Sequence, residues 1–233
     1  PRHRGVGLDV RNAVAVEMLI DEMAEREGRI DFVFNNAGVA VVGEFHRLSR
    51  ADLDRVLDVN LRGAAYVAHA AFRRMAVQGF GHLANTASGY GLVPSGANAP
   101  YATTKFGVVG LSESLRLEGH DMGVRVSVVC PGFVRTPIVD KMHAVGLDAE
   151  KVRASVPFAP VEAAEAARIV LDGVARNRAI IAFPRYVGLM AMFYRLFPKV
   201  AFRFGLRMVR RMRRHRTDDA APASRRGPTV PWG

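Results

Sequence analysis

A chain of 233 residues that is 49% hydrophobic can bury one sizeable core, and no stretch reaches the roughly 18 uncharged apolar residues of a membrane-spanning helix. One cysteine excludes an internal disulfide framework and fits a reducing compartment, so a cytoplasmic location, with peripheral membrane contact as an option, is expected. The formal charge of +11 is uneven: residues 185–233 hold 12 Lys/Arg and two Asp, so nearly all of it rides on the last fifth of the chain.

Residues 6–10 read as the end of a strand. Residues 12–27 follow with helical apolar spacing (Val14, Val16, Leu19, Ile20, Met23), closed by Gly28. Residues 30–34 form an apolar strand running into Asn35-Asn36-Ala37-Gly38. Ser49 caps a helix through Leu53, Val56 and Leu57, and residues 64–75 continue with small and apolar side chains. A strand within 79–85 leads into Thr86-Ala87-Ser88, a helix spans about 102–119, and a strand covers 124–129. Cys130 ends that apolar run, as a buried thiol rather than a nucleophile. A helix over 160–175 with Pro160 at its start and a strand over 179–183 complete the body. Val/Ile-rich strands alternating with helices point to βαβ units and a mostly parallel sheet covered on both faces. Residues 1–184 are thus an α/β domain, 185–216 a basic amphipathic helical extension, and 217–233, rich in Asp, Pro, Ser and Arg, a disordered tail.

The chemistry starts at Tyr101 and Lys105, four residues apart on one helix face. A phenol has a reference pKa near 10, so acid/base work near neutrality requires a depression worth roughly 4 kcal/mol. A neighbouring ammonium favours phenolate and supplies part of it. Lys105 is the only Lys in the first 140 residues of a chain that uses 29 Arg and four Lys, which suggests a place needing a compact point charge. An ordinary exposed helix pair is the competing reading of the same spacing. Ser88 lies 13 residues before Tyr101 at a strand's C-terminal end, the edge where parallel α/β sheets bind ligands, and its hydroxyl can donate to a developing alkoxide; a plain turn serine is the alternative.

Asn35-Asn36-Ala37-Gly38, Asn60 within Asp58-Val59-Asn60-Leu61-Arg62-Gly63, Ser88, Tyr101-x-x-x-Lys105 and Pro131-Gly132-Phe133-Val134-Arg135-Thr136 occur in this order. Together, over residues 5–184, they resemble the short-chain dehydrogenase/reductase family. The resemblance implies a Rossmann-like doubly wound parallel sheet. It also implies a hydride moved between NAD or NADP and a carbonyl or secondary alcohol, with no metal. It makes Tyr101 the proton donor or acceptor, with Lys105 holding the nicotinamide ribose hydroxyls and lowering the tyrosine pKa. Ser88 would bond the substrate oxygen and Asn60 would anchor a relay water. For the cofactor, Asp9 and Val10 match the segment at the adenine, and Asn36, Ala37 and Gly38 the turn beside the adenosine ribose. Pro131, Gly132, Val134 and Thr136 match the loop bordering the nicotinamide. A homodimer or homotetramer through the helices after Ser49 and after Tyr101 is the family expectation.

The family's opening strand and Gly-rich pyrophosphate turn find no match here, so the chain reads as lacking the first two strands and their helices. On that reading the strand at 30–34 becomes an exposed edge, residues 6–10 lose their neighbour, and NAD cannot be told from NADP. By the same resemblance residues 137–160, with Ile138, Val139, Met142, Val145, Leu147, Val156 and Phe158, would fall where the family places its substrate-covering loop, and their apolar content suggests a hydrophobic substrate.

In the extension, Arg195, Lys199, Arg203, Arg207, Arg211 and Arg214 recur every three or four residues, with Phe197, Val200, Phe202, Phe204, Leu206, Met208 and Val209 on the other faces. Peripheral contact of 195–214 with an anionic membrane and packing against the body or a subunit both account for this pattern. No recognition motif accompanies the charge, and no nucleic-acid partner is expected. The alternative to an enzyme is a catalytically impaired remnant acting as a membrane-associated or interaction protein through this helix.

Overall fold

The computed structural model describes residues 3–154 and 158–217. Asn12 caps α1 (Ala13–Glu27) by accepting from the Ala15 amide, and Gly28 ends it in the left-handed conformation. Then come β1 (Phe32–Asn35) and the short β2 (Val41–Gly43). The helix α2 (Arg50–Leu57) opens with a capping box between Ser49 and Asp52. It passes through a π-turn at Asp58–Gly63 into α3 (Ala64–Gln78). The chain continues through β3 (Gly81–Thr86), α4 (Ala99–Glu118) and β4 (Val124–Pro131). The short α5 (Pro137–Asp140), β5 (His143–Val145) and α6 (Ala149–Ala154) lead to α7 (Ala163–Ala175) and β6 (Ile180–Phe183). Two helices close the described chain, α8 (Arg185–Leu196) and α9 (Pro198–Met212).

Four strands form one parallel sheet in the order β1-β3-β4-β6, and β2 and β5 form a parallel pair of their own. Alternation along β4 puts Val126, Val128 and Cys130 toward α4, while Ser127 and Val129 turn to the other face. On the first face Val16 and Ile20 of α1, Ala68, Ala71 and Met75 of α3, and Leu111 of α4 enclose Leu83 and Val126. On the second, Ala166 and Val174 of α7 meet Ala84, Val129 and Ile181. Both faces of the central strands are covered, as their uninterrupted apolar runs require. Each fully buried Leu, Met or Val contributes about 1.5–3 kcal/mol.

Several expectations need correction. Residues 6–10 form no strand: β1 ends the described sheet, and a strand without a ladder partner has nothing to satisfy its backbone. The α7 helix begins at Ala163 rather than Pro160, because Val161 bridges Val134 in parallel. The extension is two helices, broken at Phe197, with Pro198 in the first turn of the second. Among the described residues β1 is an edge of the sheet, with Phe32 and Phe34 stacked on each other and exposed. The disordered tail and Val156 lie outside the described residues, the tail from residue 218 onward.

Candidate active site

The C-terminal ends of β1, β3 and β4 converge on one edge, and buried side-chain hydrogen bonds set their spacing. Asn35 at the end of β1 donates to the Ala64 carbonyl (2.8 Å) and to Asn85 Oδ1 (2.9 Å); Asn85 donates to Ser112 Oγ (3.0 Å) on α4, which donates to the Val108 carbonyl. Two strands and two helices are thereby tied by groups that would each be costly if left unpaired.

Lys105 is buried on the sheet-facing side of α4, and its Nζ donates to the Thr86 carbonyl at the end of β3 (3.0 Å). Desolvation lowers its pKa to about 8. Tyr101 lies one turn earlier on the same face, with Nζ 5.6 Å from its ring centroid, so the two side chains do come together. Burial pushes the Tyr101 phenol upward, and a hydrogen bond from Ser88 opposes that in part. The direction is opposite to the acidification expected from the spacing, because burial of the phenol dominates.

Ser88 follows β3 in extended backbone and accepts from the Tyr90 amide (3.2 Å), with its hydroxyl near enough to the Tyr101 phenol to oppose part of the upward push on that group. Gly91, three residues on, permits this approach: a Cβ there would sit 2.6 Å from the Lys105 carbonyl oxygen. Tyr90 packs edge-on against Tyr101, with centroids 6.5 Å apart.

Asn60 is buried inside the π-turn, a feature often found at functional sites. Its Oδ1 accepts from the Val39 amide and its Nδ2 donates to the Val39 carbonyl, both at 2.8 Å. The side chain thus clamps the turn after β1. A Cβ at Gly38 would stand 3.4 Å from Asn60 Oδ1 and 3.8 Å from Lys105 Nζ, so glycine keeps a backbone ledge open beside the ammonium. Asn36 and Ala37 on the same turn are exposed. Val10 packs against Gly63 in the π-turn, whereas the Asp9 carboxylate is held by Arg11 and kept ionised to about pKa 2. Pro131 ends β4, and the Gly132 amide donates to the Phe183 carbonyl (2.7 Å). Val134 bridges Val161, and Thr136 precedes α5. Cys130 is a buried core thiol, pushed up to about 12 by desolvation.

Residues not anticipated from the sequence complete the region. A cleft of about 190 Å³ is lined by Gly38, Val39, Ala40, Arg55, Ile138 and Lys141. The cations at 55 and 141 look like ordinary surface charges in the sequence, and only the fold brings them to the Gly38 turn. The Thr86 carbonyl and Tyr90 are likewise assigned by folding alone. Of the apolar residues that suggested a hydrophobic substrate, Leu147 instead packs with Val42, Val152 and Met212 in a separate small core.

Comparison with known proteins agrees with this arrangement. Residues 2–145 match the family described as short chain dehydrogenase. The oxidoreductase UcpA of Escherichia coli K12 is 37% identical over 142 residues, covering 60% of this chain and 54% of that one. The D-threitol dehydrogenase of Mycolicibacterium smegmatis is 38% identical over 139 residues, with coverage of 60% and 54%. The acetoacetyl-CoA reductase of Acinetobacter sp. strain RA3849 is 31% identical over 179 residues, covering 76% and 71%. The chain thus spans about half the length of several curated relatives that it matches. Among solved structures, a short-chain dehydrogenase/reductase from Burkholderia phymatum in complex with NAD superposes with a TM-score of 0.76 at 26% identity, over 84% of this chain and 76% of that one. Levodione reductase gives 0.64 at 29%, over 75% and 71%. No helix among the described residues is long and apolar enough to cross a membrane. On its sequence and its fold, the chain belongs to the short-chain dehydrogenase/reductase family of oxidoreductases.

Proposed function

We propose that this site transfers a hydride between a nicotinamide cofactor, NAD or NADP, and a carbonyl or secondary-alcohol substrate, with Tyr101 as the general acid/base. The observation that carries the reading is the Ser88–Tyr101 hydroxyl pair standing over a buried Lys105 ammonium. A nicotinamide, when bound, supplies the hydride chemistry; the protein's part is orientation and proton management.

The residues present fit such a group. The ledge at Gly38, open where a Cβ would approach both Asn60 and Lys105, suits a ribose, and the Lys105 ammonium suits its hydroxyls. Asn36, Ala37, Pro131, Gly132, Val134 and Thr136 border the same edge, and Arg55 and Lys141 suit anionic groups in the cleft beside Gly38. Asp9 and Val10 are the residues assigned to the adenine end, with Arg11 already on the Asp9 carboxylate. Ser88 holds the substrate oxygen next to Tyr101 and donates to it as negative charge develops. Tyr101 gives or takes the proton at that oxygen, and Lys105 stabilises the phenolate as it forms. Asn60 fixes the 38–39 turn against the ammonium. The D-threitol dehydrogenase and acetoacetyl-CoA reductase names among the relatives support an alcohol or carbonyl substrate. Ile138 beside the cleft favours a substrate with an apolar portion, and exposed Phe106 and Leu117 on α4 favour a homo-oligomer through that helix.

The test is turnover of a panel of ketones and secondary alcohols with NADH, NADPH and their oxidised forms, comparing the full-length protein with Tyr101→Phe. Activity that disappears with the hydroxyl supports the assignment; undiminished activity overturns it.

A further inference from the structure

The α8–α9 unit combines features that the site chemistry does not use. Leu189, Met192, Phe193 and Leu196 recur at helical spacing on the side of α8 opposite the buried Val187. Phe197 continues the patch across the break, its ring 5.5 Å from that of Phe193, and Val200 and Phe204 extend it along α9. All seven are 43–63% exposed. Residues 185–217 hold ten Lys/Arg and no Asp or Glu. Arg203, Arg207 and Arg211 follow one line along α9 beside Val200 and Phe204.

The opposite side of α9 is fastened down. Met212 packs with Val42, Leu147 and Val152; Val209 occupies the space over Gly96; Arg213 (2.6 Å) and Arg216 grip the buried Glu44. The apolar patch and the arginine line are therefore held outward.

We propose that this face seats on the surface of an anionic lipid bilayer. A bilayer offers acyl carbon to the phenylalanines and a plane of phosphates to the arginines, whereas a second copy of the chain would set the Arg203, Arg207 and Arg211 line against another line of cations. Neither helix is long and apolar enough to span, so the unit lies in the interface.

The test is co-sedimentation of the full-length protein with vesicles of phosphatidylcholine alone and of phosphatidylcholine with about one-third phosphatidylglycerol. Binding is expected to the anionic vesicles only, weakening as salt rises from about 0.1 M to about 0.5 M. Arg203→Gln with Arg207→Gln should lower the partition coefficient about thirtyfold, at roughly fivefold per cation. Phe193→Ser with Leu196→Ser should abolish binding. Both variants change exposed residues, and an unaltered thermal unfolding curve shows that they fold. Equal binding to neutral vesicles, or no binding to either, overturns the proposal. So does a concentration-dependent dimer that the Phe193/Leu196 variant dissolves, which would make the face a contact between copies.

Discussion

The candidate catalytic edge of the sheet and the docking point of the last helix treat buried charge in opposite ways. Around the sheet, burial is answered by hydrogen bonds but by no counter-charge. Lys105 has only a carbonyl and drops to about 8, His82 falls to about 4 beneath Ser127, and the Tyr101 and Cys130 groups are pushed up. Each favours its neutral form. At the docking point burial also acts against the Glu44 carboxylate, yet hydrogen bonds from Arg216 and Arg213 overcome it and hold the group ionised below its usual range. In the first region burial works against charge, and Lys105 alone of these four is brought toward neutral pH. The second is a fixed electrostatic clasp.

The largest effect should come from removing the hydroxyl proposed as the general acid/base. Tyr101→Phe is expected to reduce kcat by about 100- to 10,000-fold while leaving the far-ultraviolet circular dichroism unchanged. Next is pH. The folded pKa values of Lys105 and His82 lie below their unfolded values, so the unfolded chain binds the extra proton in each window. Stability should therefore rise from about pH 8 to about pH 10.5 for Lys105, and fall as pH drops from about 6.5 through about 4 for His82. Each change is on the order of 3 kcal/mol. Urea midpoints measured against pH should lose the alkaline rise in Lys105→Met and the acid fall in His82→Gln.

Asn85→Ala tests the polar stitching below the site. It strands the Asn35 amide and Ser112, so a cost of about 2–3 kcal/mol is expected, read from the same denaturation curves. The smallest global change, about 1–2 kcal/mol, belongs to Glu44→Gln, since its arginine partners retain access to water. Its signature is local. Amide exchange in α9 should accelerate while β3 stays protected, and equal acceleration in both would show that the clasp is integral to the core.

Much of the body was legible because its signals are local and repeated. The Val/Ile runs at β4 and β6, Ser49 three residues before Asp52, and Gly28 after an apolar-periodic segment each announce an element within a few residues. The edge position of β1 could also be reasoned from strand order. At the site, Tyr101, Lys105 and Ser88 could be named because spacing places them on one helix face and one strand end. The rest depends on distance along the chain. Strands of three residues, Val41–Gly43 and His143–Val145, carry too little pattern to be distinguished from loop. The π-turn around Asn60 has the composition of ordinary helix. Nothing near Glu44 announces that arginines about 170 residues away will bury it. The direction of the Tyr101 shift was missed for a related reason: spacing gives proximity to Lys105, but desolvation is set by everything else that packs around the ring.

The loop at 95–98 is held from two sides. Val209 lies over Gly96, and the Ala97 carbonyl accepts from the Gly43 amide (2.8 Å), while Asn98 opens the helix that carries Tyr101. The last helix thus packs on the loop that leads into the helix of Tyr101, the proposed general acid/base, and is not a detachable handle. Shortening the chain there to ease expression or crystallisation would uncover Gly96 and loosen the loop ahead of the tyrosine, so a trimmed protein is a poor stand-in for the whole one when the proposed activity is assayed.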